Sequence, residues 1–303
     1  MNRILFRFLL AIALVGASTA QAETEIVRIP TEDKVVINGV WFAPAKPTKS
    51  LVVLVPGLDG GVLFPGHDYG PLAKELNSRG YALLIPNMRT AALNFAYSTF
   101  ESANEDLRGV VTFAKTKGIE DISLFGTSLG GPRVAWYLSQ NSEPAIKTVG
   151  FLASLTSPYH GEELKGDTEG TRHFKDVVSK SRALLASGRS NELVAYDFTL
   201  GRTLPMSARS FLSFWGDPAT ESNASTTKFI ETAVTVPTLV IHGTEDKVAL
   251  PKNAEEIYHA LKNAPLKDIV LVEGASHYLS SGWIAEAYGQ RIAGWVAKNM
   301  PLR

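Results

Sequence analysis

The chain has 303 residues, with 30 basic and 30 acidic side chains and no cysteine. This length suits one α/β core with an insertion and leaves little room for two large independent domains. The balanced charge offers no basic surface for nucleic acid or for an anionic membrane, and without cysteine the fold cannot depend on disulfides. The composition is therefore typical of a soluble enzyme that is stabilised by packing.

The first 22 residues have the three parts of a secretory signal peptide. Arg3 and Arg7 supply the positive region, an unbroken apolar stretch runs from Phe8 to Val15, and Ala20-Gln21-Ala22 has the small-x-small pattern of a cleavage site. The apolar stretch is well short of the roughly 20 residues that span a bilayer. We therefore expect cleavage after Ala22, a periplasmic or secreted mature protein, and no stable membrane anchor.

Periodicity predicts two antiparallel strands followed by alternating strands and helices. The first two strands are expected at Glu25 to Pro30 and Lys34 to Phe42, with a turn or bulge at Asn38-Gly39. Further strands are expected at Leu51 to Val55, Tyr81 to Ile85, Ile122 to Phe125, Thr148 to Leu152, Val236 to Gly243 and Ile269 to Gly274. Apolar residues at helical spacing occur in Tyr69 to Leu76, Leu107 to Ala114 and Ile284 to Trp295. Strands separated by helices predict an α/β fold, in which a mostly parallel central sheet has helices on both faces.

The regular alternation stops between Ser154 and Thr235. Helical segments are predicted there at about Phe174 to Ala186, Asn191 to Tyr196, Ala208 to Trp215 and Thr226 to Thr235. A loop of this length without structure would be unusual in a compact domain. We therefore predict a helical insertion at about residues 155–235 within one domain that covers residues 23–303.

Ser128 has the setting of an activated nucleophile. It lies in Gly126-Thr127-Ser128-Leu129-Gly130, directly after a predicted strand and before a helical stretch. A sharp strand-to-helix turn exposes a serine hydroxyl only if the flanking positions carry almost no side chain, which Gly126 and Gly130 satisfy. The pentapeptide alone is a weak signal, because many copies of it are ordinary turns. The interpretation therefore depends on finding partners for Ser128.

Two such partners follow later strands. Asp246 and His277 each lie on a loop after a predicted strand, and the carboxyl ends of parallel strands meet at one edge of a sheet. A serine hydroxyl needs a base to take its proton, and an imidazole needs an acid to fix its tautomer. We predict His277 as the base and Asp246 as the acid. Glu245 is the alternative acid. Four of the other histidines lack this strand-end setting, namely His67, His160, His173 and His259, whereas His242 lies at a strand-to-loop junction, where a histidine usually makes a structural hydrogen bond.

Serine, acid and histidine in this chain order resemble the α/β-hydrolase fold superfamily, and the resemblance covers most of the chain after about residue 24. A fourth motif, Pro56-Gly57-Leu58-Asp59-Gly60-Gly61, looks like the superfamily's oxyanion loop, with Pro56 where a histidine is often found. The spacing of Asp246 from Gly243 also matches the superfamily. The resemblance implies oxyanion donors at the backbone N–H groups of Leu58 and Leu129, and a lid formed by the insertion.

Four aromatic residues are candidate substrate contacts. In the peptidase and lipase branches of the superfamily, a glycine-rich turn often follows the strand that corresponds to Tyr81–Ile85. Here an apolar loop with Phe95 and Tyr97 replaces it. Phe211 and Trp215 in the insertion could face the substrate, although aromatic clusters on a short helix commonly pin that helix to the core.

The sequence therefore predicts an exported serine hydrolase, and most directly a carboxylesterase that cleaves modest apolar esters through an acyl-enzyme. An amidase or aminopeptidase is an alternative, because the same triad attacks amides. A catalytically silent binding protein on the same fold is a second one. No cofactor is implied, and no histidine pair has the helical spacing of a metal site. The oligomeric state is left open.

Overall fold

The computed structural model describes residues 23–58, 60–61, 68–159, 168–198, 202–278 and 282–303. The predicted signal peptide, Asp59, and the segments 62–67, 160–167, 199–201 and 279–281 lie outside the described residues. Within the described ranges, no helix combines the length and the apolar character that crossing a membrane requires.

Ten strands and eight α-helices are formed within these ranges. The strands are β1 (Glu23–Pro30), β2 (Val36–Ala43), β3 (Ser50–Val55), β4 (Ala82–Asn87), β5 (Asp121–Thr127), β6 (Ile146–Leu152), β7 (Leu193–Phe198), β8 (Arg202–Ser207), β9 (Thr238–Gly243) and β10 (Lys267–Val272). The helices are α1 (Gly70–Ser78), α2 (Ala103–Thr116), α3 (Gly130–Gln140), α4 (Glu169–Ala186), α5 (Ala208–Trp215), α6 (Thr227–Ala233), α7 (Lys252–Ala260) and α8 (Gly282–Asn299). Eight strands form the central sheet in the order β1-β2-β4-β3-β5-β6-β9-β10, while β7 and β8 form a separate hairpin.

The central sheet is mostly parallel, as predicted. Only the pairings of β1 with β2 and of β2 with β4 are antiparallel. The buried strand β3 shows why both faces carry helices, since its side chains alternate between two cores. Leu51, Val53 and Val55 pack with α2, α3, α6 and α7, whereas Val52 and Leu54 pack with α1 and α8.

Parallel pairing brings the carboxyl ends of the strands to one edge. Val55 at the end of β3 lies opposite Gly126 of β5, and Val272 at the end of β10 lies opposite Gly243 of β9. The loops that follow these four strands contain the predicted oxyanion loop, Ser128, Asp246 and His277. Four distant chain segments therefore meet at this edge.

Two local predictions were wrong. Asn38 and Gly39 form no turn, because both lie inside β2 and pair with β1. A Cβ at Gly39 would lie 3.0 Å from Cδ1 of Leu84, so the glycine gives room to a neighbouring strand. The segment predicted as a helix at Asn191 to Tyr196 instead contributes β7, in which Val194 and Tyr196 are buried and Leu193 and Ala195 are exposed. This alternation has the period of a strand.

The insertion between β6 and β9 packs over the carboxyl edge of the sheet. Its helices α4 and α5 and the β7-β8 hairpin share an apolar core with the turns that follow β4 and with Leu129, the residue after Ser128. We call this core the aromatic cluster; its large members are Phe95, Phe100, Phe174, Tyr196, Phe211, Phe214 and Trp215. Helix α6 packs on α3 and belongs to the main core through Ile230.

Candidate active site

Ser128 occupies a strained turn between β5 and α3. Its φ is 53°, in the left-handed region that residues other than glycine rarely adopt. A Cβ at Gly126 would lie 2.4 Å from the carbonyl oxygen of Gly130, and a Cβ at Gly130 would lie 2.2 Å from that of Val55. The two glycines therefore allow the turn to close, as their positions on either side of Ser128 predict.

The structure brings the three predicted residues together. Nε2 of His277 lies 2.9 Å from Oγ of Ser128, and Nδ1 of His277 lies 2.8 Å from Oδ2 of Asp246. A serine nucleophile, its base and an orienting acid require this connectivity. The alternative acid Glu245 has a side chain that is 60% exposed, and it pairs with Lys247. Its neighbour Asp246 is the carboxylate that reaches the histidine.

The carboxylate of Asp246 is buried and accepts hydrogen bonds on both oxygens. Oδ1 accepts hydrogen bonds from the backbone N–H groups of Val248 and Ala249, each at 2.8 Å. Oδ2 faces His277 and a second histidine, His242, whose Nε2 is 3.2 Å away. Burial by itself raises the pKa of Asp246, but the hydrogen bonds from His242, His277 and Val248 and the electrostatic effect of His277 hold it well below its usual range. Asp246 is therefore ionised at neutral pH.

From the sequence, His242 is expected to make only a structural hydrogen bond, whereas the structure places it against Asp246. Its Nε2 lies 2.6 Å from the carbonyl oxygen of Ala249 as well as near Asp246, and both neighbours are acceptors. The ring proton therefore lies on Nε2. Nδ1 is buried and has no partner among the described residues. The signal that could have identified this role is the position of His242 at the end of β9, four residues before the acid.

Replacing His242 by phenylalanine is expected to lower stability at pH 7 by about 2 kcal/mol, because a donor to a buried carboxylate is lost. The pKa of Asp246 is depressed in the folded protein, so its contribution is present above the unfolded value of about 3.9 and is lost as the pH falls. Losing the donor raises that pKa. The difference in unfolding free energy between variant and wild type should therefore hold from pH 7 down to the folded pKa of Asp246 in the variant and shrink only below it, which thermal unfolding along a series of acid pH values measures.

His259→Phe is the matched control, since His259 is exposed on α7. It should change stability little at any of these pH values. A loss for His242→Phe that does not shrink even at the most acid pH would show that packing, and not the hydrogen bond to Asp246, accounts for the effect.

The loop after β3 lies against the serine. A Cβ at Gly57 would be 3.1 Å from Cβ of Ser128 and 3.5 Å from its Oγ. The loop closes in a tight turn in which the N–H of Gly60 donates to the carbonyl of Gly57 at 3.0 Å. Neither Leu58 nor Leu129 donates its backbone N–H to an acceptor among the described residues. Both predicted donors therefore remain available beside Ser128.

The four predicted substrate contacts separate into two groups. Phe211 and Trp215 are wholly buried and Phe95 nearly so, and the ring of Phe95 lies 6.0 Å from that of Trp215. All three belong to the aromatic cluster, which also includes Leu129. Tyr97 is 51% exposed and lies outside that cluster. The first three therefore form the apolar packing next to the serine.

No group of three or more metal-binding side chains occurs within the described ranges.

No family model matches the sequence. Among solved structures, the chain is similar to the esterase domain of a Rhodothermus marinus protein, with 16% identity, a TM-score of 0.61, and coverage of 91% of this chain and 98% of that one. It is also similar to the alpha/beta hydrolase GrgF from Penicillium sp. sh18, with 14% identity, a TM-score of 0.66, and coverage of 92% and 99%. The esterase Pf2001 from Pyrococcus furiosus has 17% identity, a TM-score of 0.59, and coverage of 92% and 91%. At these identities the similarity establishes the fold alone.

Proposed function

We propose that this chain, whose fold is that of the α/β hydrolases, is an exported serine hydrolase that cleaves modest apolar carboxylic esters. The observation that carries the proposal is the continuous hydrogen-bonded path from Ser128 through His277 to the buried carboxylate of Asp246. A serine in a strained turn, bonded to an oriented imidazole, is an activated nucleophile. Export is supported by the charged, apolar and small-residue pattern of residues 1–22.

The geometry supports an acyl-enzyme route. Oγ of Ser128 attacks the ester carbonyl while Nε2 of His277 takes its proton, and Asp246 stabilises the imidazolium that forms. The N–H groups of Leu58 and Leu129 donate to the oxyanion of the tetrahedral intermediate. His277 then protonates the leaving alcohol, which departs as the acyl-enzyme forms. A water molecule then attacks the carbonyl carbon of the acyl-enzyme while His277 takes its proton. The acid is released when His277 returns that proton to Oγ of Ser128.

Apolar packing beside the serine favours an ester with an apolar acyl group. Leu129 and Phe95 bring the aromatic cluster to the edge where Ser128 lies, and Leu58 packs against the same cluster. The structural neighbours from Rhodothermus marinus and Pyrococcus furiosus are described as esterases, which supports the same substrate class. An amidase needs the same nucleophile but must protonate an amine leaving group. A silent binding protein has no need of the strained Ser128 turn.

A substrate panel tests this assignment. The mature protein, residues 23–303, is incubated with p-nitrophenyl esters of increasing acyl length, with the corresponding anilides, and with aminoacyl anilides. We expect turnover of the esters and little of the anilides. Faster cleavage of the anilides would support the amidase alternative, and no turnover together with no labelling by a fluorophosphonate would support a binding protein. The mass of the protein recovered from the periplasm or medium tests cleavage after Ala22.

We further propose that the insertion acts as a lid that selects the acyl group. Trp215→Ala should leave turnover of the acetate ester near the wild-type value and change kcat/KM for a longer ester by about tenfold, which is a typical effect of altering an apolar pocket. The reason is that Trp215 packs beside Phe95 and the catalytic residues come from loops outside the insertion. Steady-state kinetics on both esters measure this change.

Leu185→Ala on α4 is the control, because Leu185 is 40% exposed and belongs to no buried cluster. It should leave the preference unchanged. If Trp215→Ala loses the same factor on both esters, then the cluster supports the catalytic residues themselves. If neither ester is affected in the folded variant, the tryptophan stabilises only the insertion.

A further inference from the structure

Arg133 is a wholly buried cation beneath the loop that follows β3. It lies in the first turn of α3, directly after the turn that presents Ser128. Its Nη1 donates to the carbonyl of Pro56 at 2.8 Å and to the carbonyl of Gly57, and its Nη2 donates to the carbonyl of Leu58 at 3.0 Å. One guanidinium thus holds three successive carbonyls of the proposed oxyanion loop.

The middle contact acts on the peptide that supplies an oxyanion donor. The carbonyl of Gly57 and the N–H of Leu58 belong to one peptide group, which is planar and trans. The two bonds therefore point in opposite directions. Holding the carbonyl on Arg133, on the side away from the substrate, directs the N–H of Leu58 toward the face where Ser128 lies. A flipped peptide would present a carbonyl oxygen to the oxyanion instead of a donor.

A charge-assisted bond also changes the strength of that donor. A cation bonded to the carbonyl polarises the whole amide, because linked hydrogen bonds strengthen one another in a site of low dielectric. The positive charge itself lies behind the loop, on the side away from the oxyanion, so distance weakens its direct attraction for the negative charge that builds up. Arg133 therefore acts on the oxyanion through the peptide and does not touch the substrate.

Acidic residues near Arg133 reduce the cost of burying it. Asp106 is wholly buried, and its carboxylate bonds to Arg89, which also pairs with Asp33. Burial raises the pKa of Asp106, and the backbone and side chain of Arg89, together with the charge of Arg133, oppose that rise. Arg133 thus lies near the buried carboxylate of Asp106, and the second cation, Arg89, is paired in turn with Asp33. Their charges balance, which permits a guanidinium in this position.

We propose that Arg133 is a positioning residue that orients the Gly57–Leu58 peptide as a donor of the oxyanion hole. The inference rests on the proposed hydrolase function. Its direct consequence is that Arg133 contributes to the transition state and little to ground-state binding of the ester. Lysine can hold one carbonyl but cannot match the planar fork that holds three.

The test compares Arg133→Met, Arg133→Lys and the control Arg89→Met with the wild type on p-nitrophenyl acetate. Arg89→Met also removes a cation of the same group, one whose side chain is 14% exposed, but the hydrogen bonds of Arg89 go to Asp106 and Asp33 and not to the loop. We expect Arg133→Met to lower kcat about 10²-fold, as losing one oxyanion donor does, with KM changed less than about threefold. Arg133→Lys should be intermediate. Arg89→Met should lower the unfolding temperature and keep kcat.

A second readout uses a methyl trifluoromethyl ketone inhibitor. Attack by Oγ of Ser128 on its carbonyl carbon, with the proton passing to His277, gives a hemiketal whose oxyanion occupies the oxyanion hole. The affinity for this inhibitor should fall in Arg133→Met by the same factor as kcat/KM. A merely structural residue would change the unfolding temperature without this parallel loss.

Three results would overturn the proposal. One is a folded Arg133→Met variant with wild-type kcat, another is a loss of kcat without loss of ketone affinity, and the third is an equal loss of kcat in Arg89→Met. If Arg133→Met fails to fold, Arg133→Lys decides, since full kcat in that variant contradicts the need for the fork. A wild type that neither turns over esters nor reacts with a fluorophosphonate contradicts the hydrolase function instead, and that result is distinct from all three.

Discussion

Replacing Ser128 by alanine is expected to abolish both labelling by a fluorophosphonate and ester turnover, with kcat reduced by about 10⁶-fold as for other serine nucleophiles. The reason is geometric. The hydroxyl of Ser128 lies at 2.9 Å from Nε2 of His277, in a turn that Gly126 and Gly130 allow to close. Labelling is measured on the intact protein by mass, and turnover on p-nitrophenyl acetate.

Ser276→Ala is the matched control, because Ser276 is an exposed serine directly beside His277 in the sequence. This variant should be labelled and active like the wild type. Alanine at position 128 relieves the strain only slightly, since it also has a Cβ in the left-handed region, so the fold should persist. Equal labelling of Ser128→Ala and wild type would move the nucleophile to another residue.

The residues found from the sequence alone are those whose constraints are local. Gly126 and Gly130 had to be small for the turn around Ser128 to close, and the structure shows the backbone contacts that a Cβ would break. Buried strands such as β3 were recognisable because an unbroken apolar run fits a parallel sheet with two covered faces. Loops that follow such strands meet at one edge for any sequence, so Asp246 and His277 could be placed near Ser128 without coordinates.

The features that were missed depend on contacts between distant segments. Arg133 reads in the sequence as an ordinary cation on an amphipathic helix, and only the fold shows that it is buried under residues 56–58. The role of His242 was missed for the same reason, since its second acceptor is Asp246 across a turn. The strand β7 was mistaken for a helix because a short segment with two apolar residues fits either period. Pairing with β8 decides between them.

Replacing Asp246 by asparagine is expected to lower kcat by about 10⁴-fold, as in other triads. The surroundings of Asp246 fix how the amide must sit. Oδ1 accepts two backbone N–H groups, from Val248 and Ala249, so the amide oxygen is held there. The NH₂ group then takes the position of Oδ2 and faces Nδ1 of His277. A donor at that place selects the tautomer with the proton on Nε2, and such an imidazole cannot accept the proton of Ser128.

The same orientation places the NH₂ group against Nε2 of His242, which also carries a proton. Two donors then face each other, so the variant should lose stability as well as activity, and turnover must be compared at a temperature at which both proteins are folded. Glu245→Gln is the control, because Glu245 is exposed and pairs with Lys247, and it should keep the wild-type kcat. A loss in Glu245→Gln with near-normal turnover in Asp246→Asn would give the acid role to Glu245. That outcome would require Glu245 to leave its exposed position and displace a carboxylate that four donors hold in place.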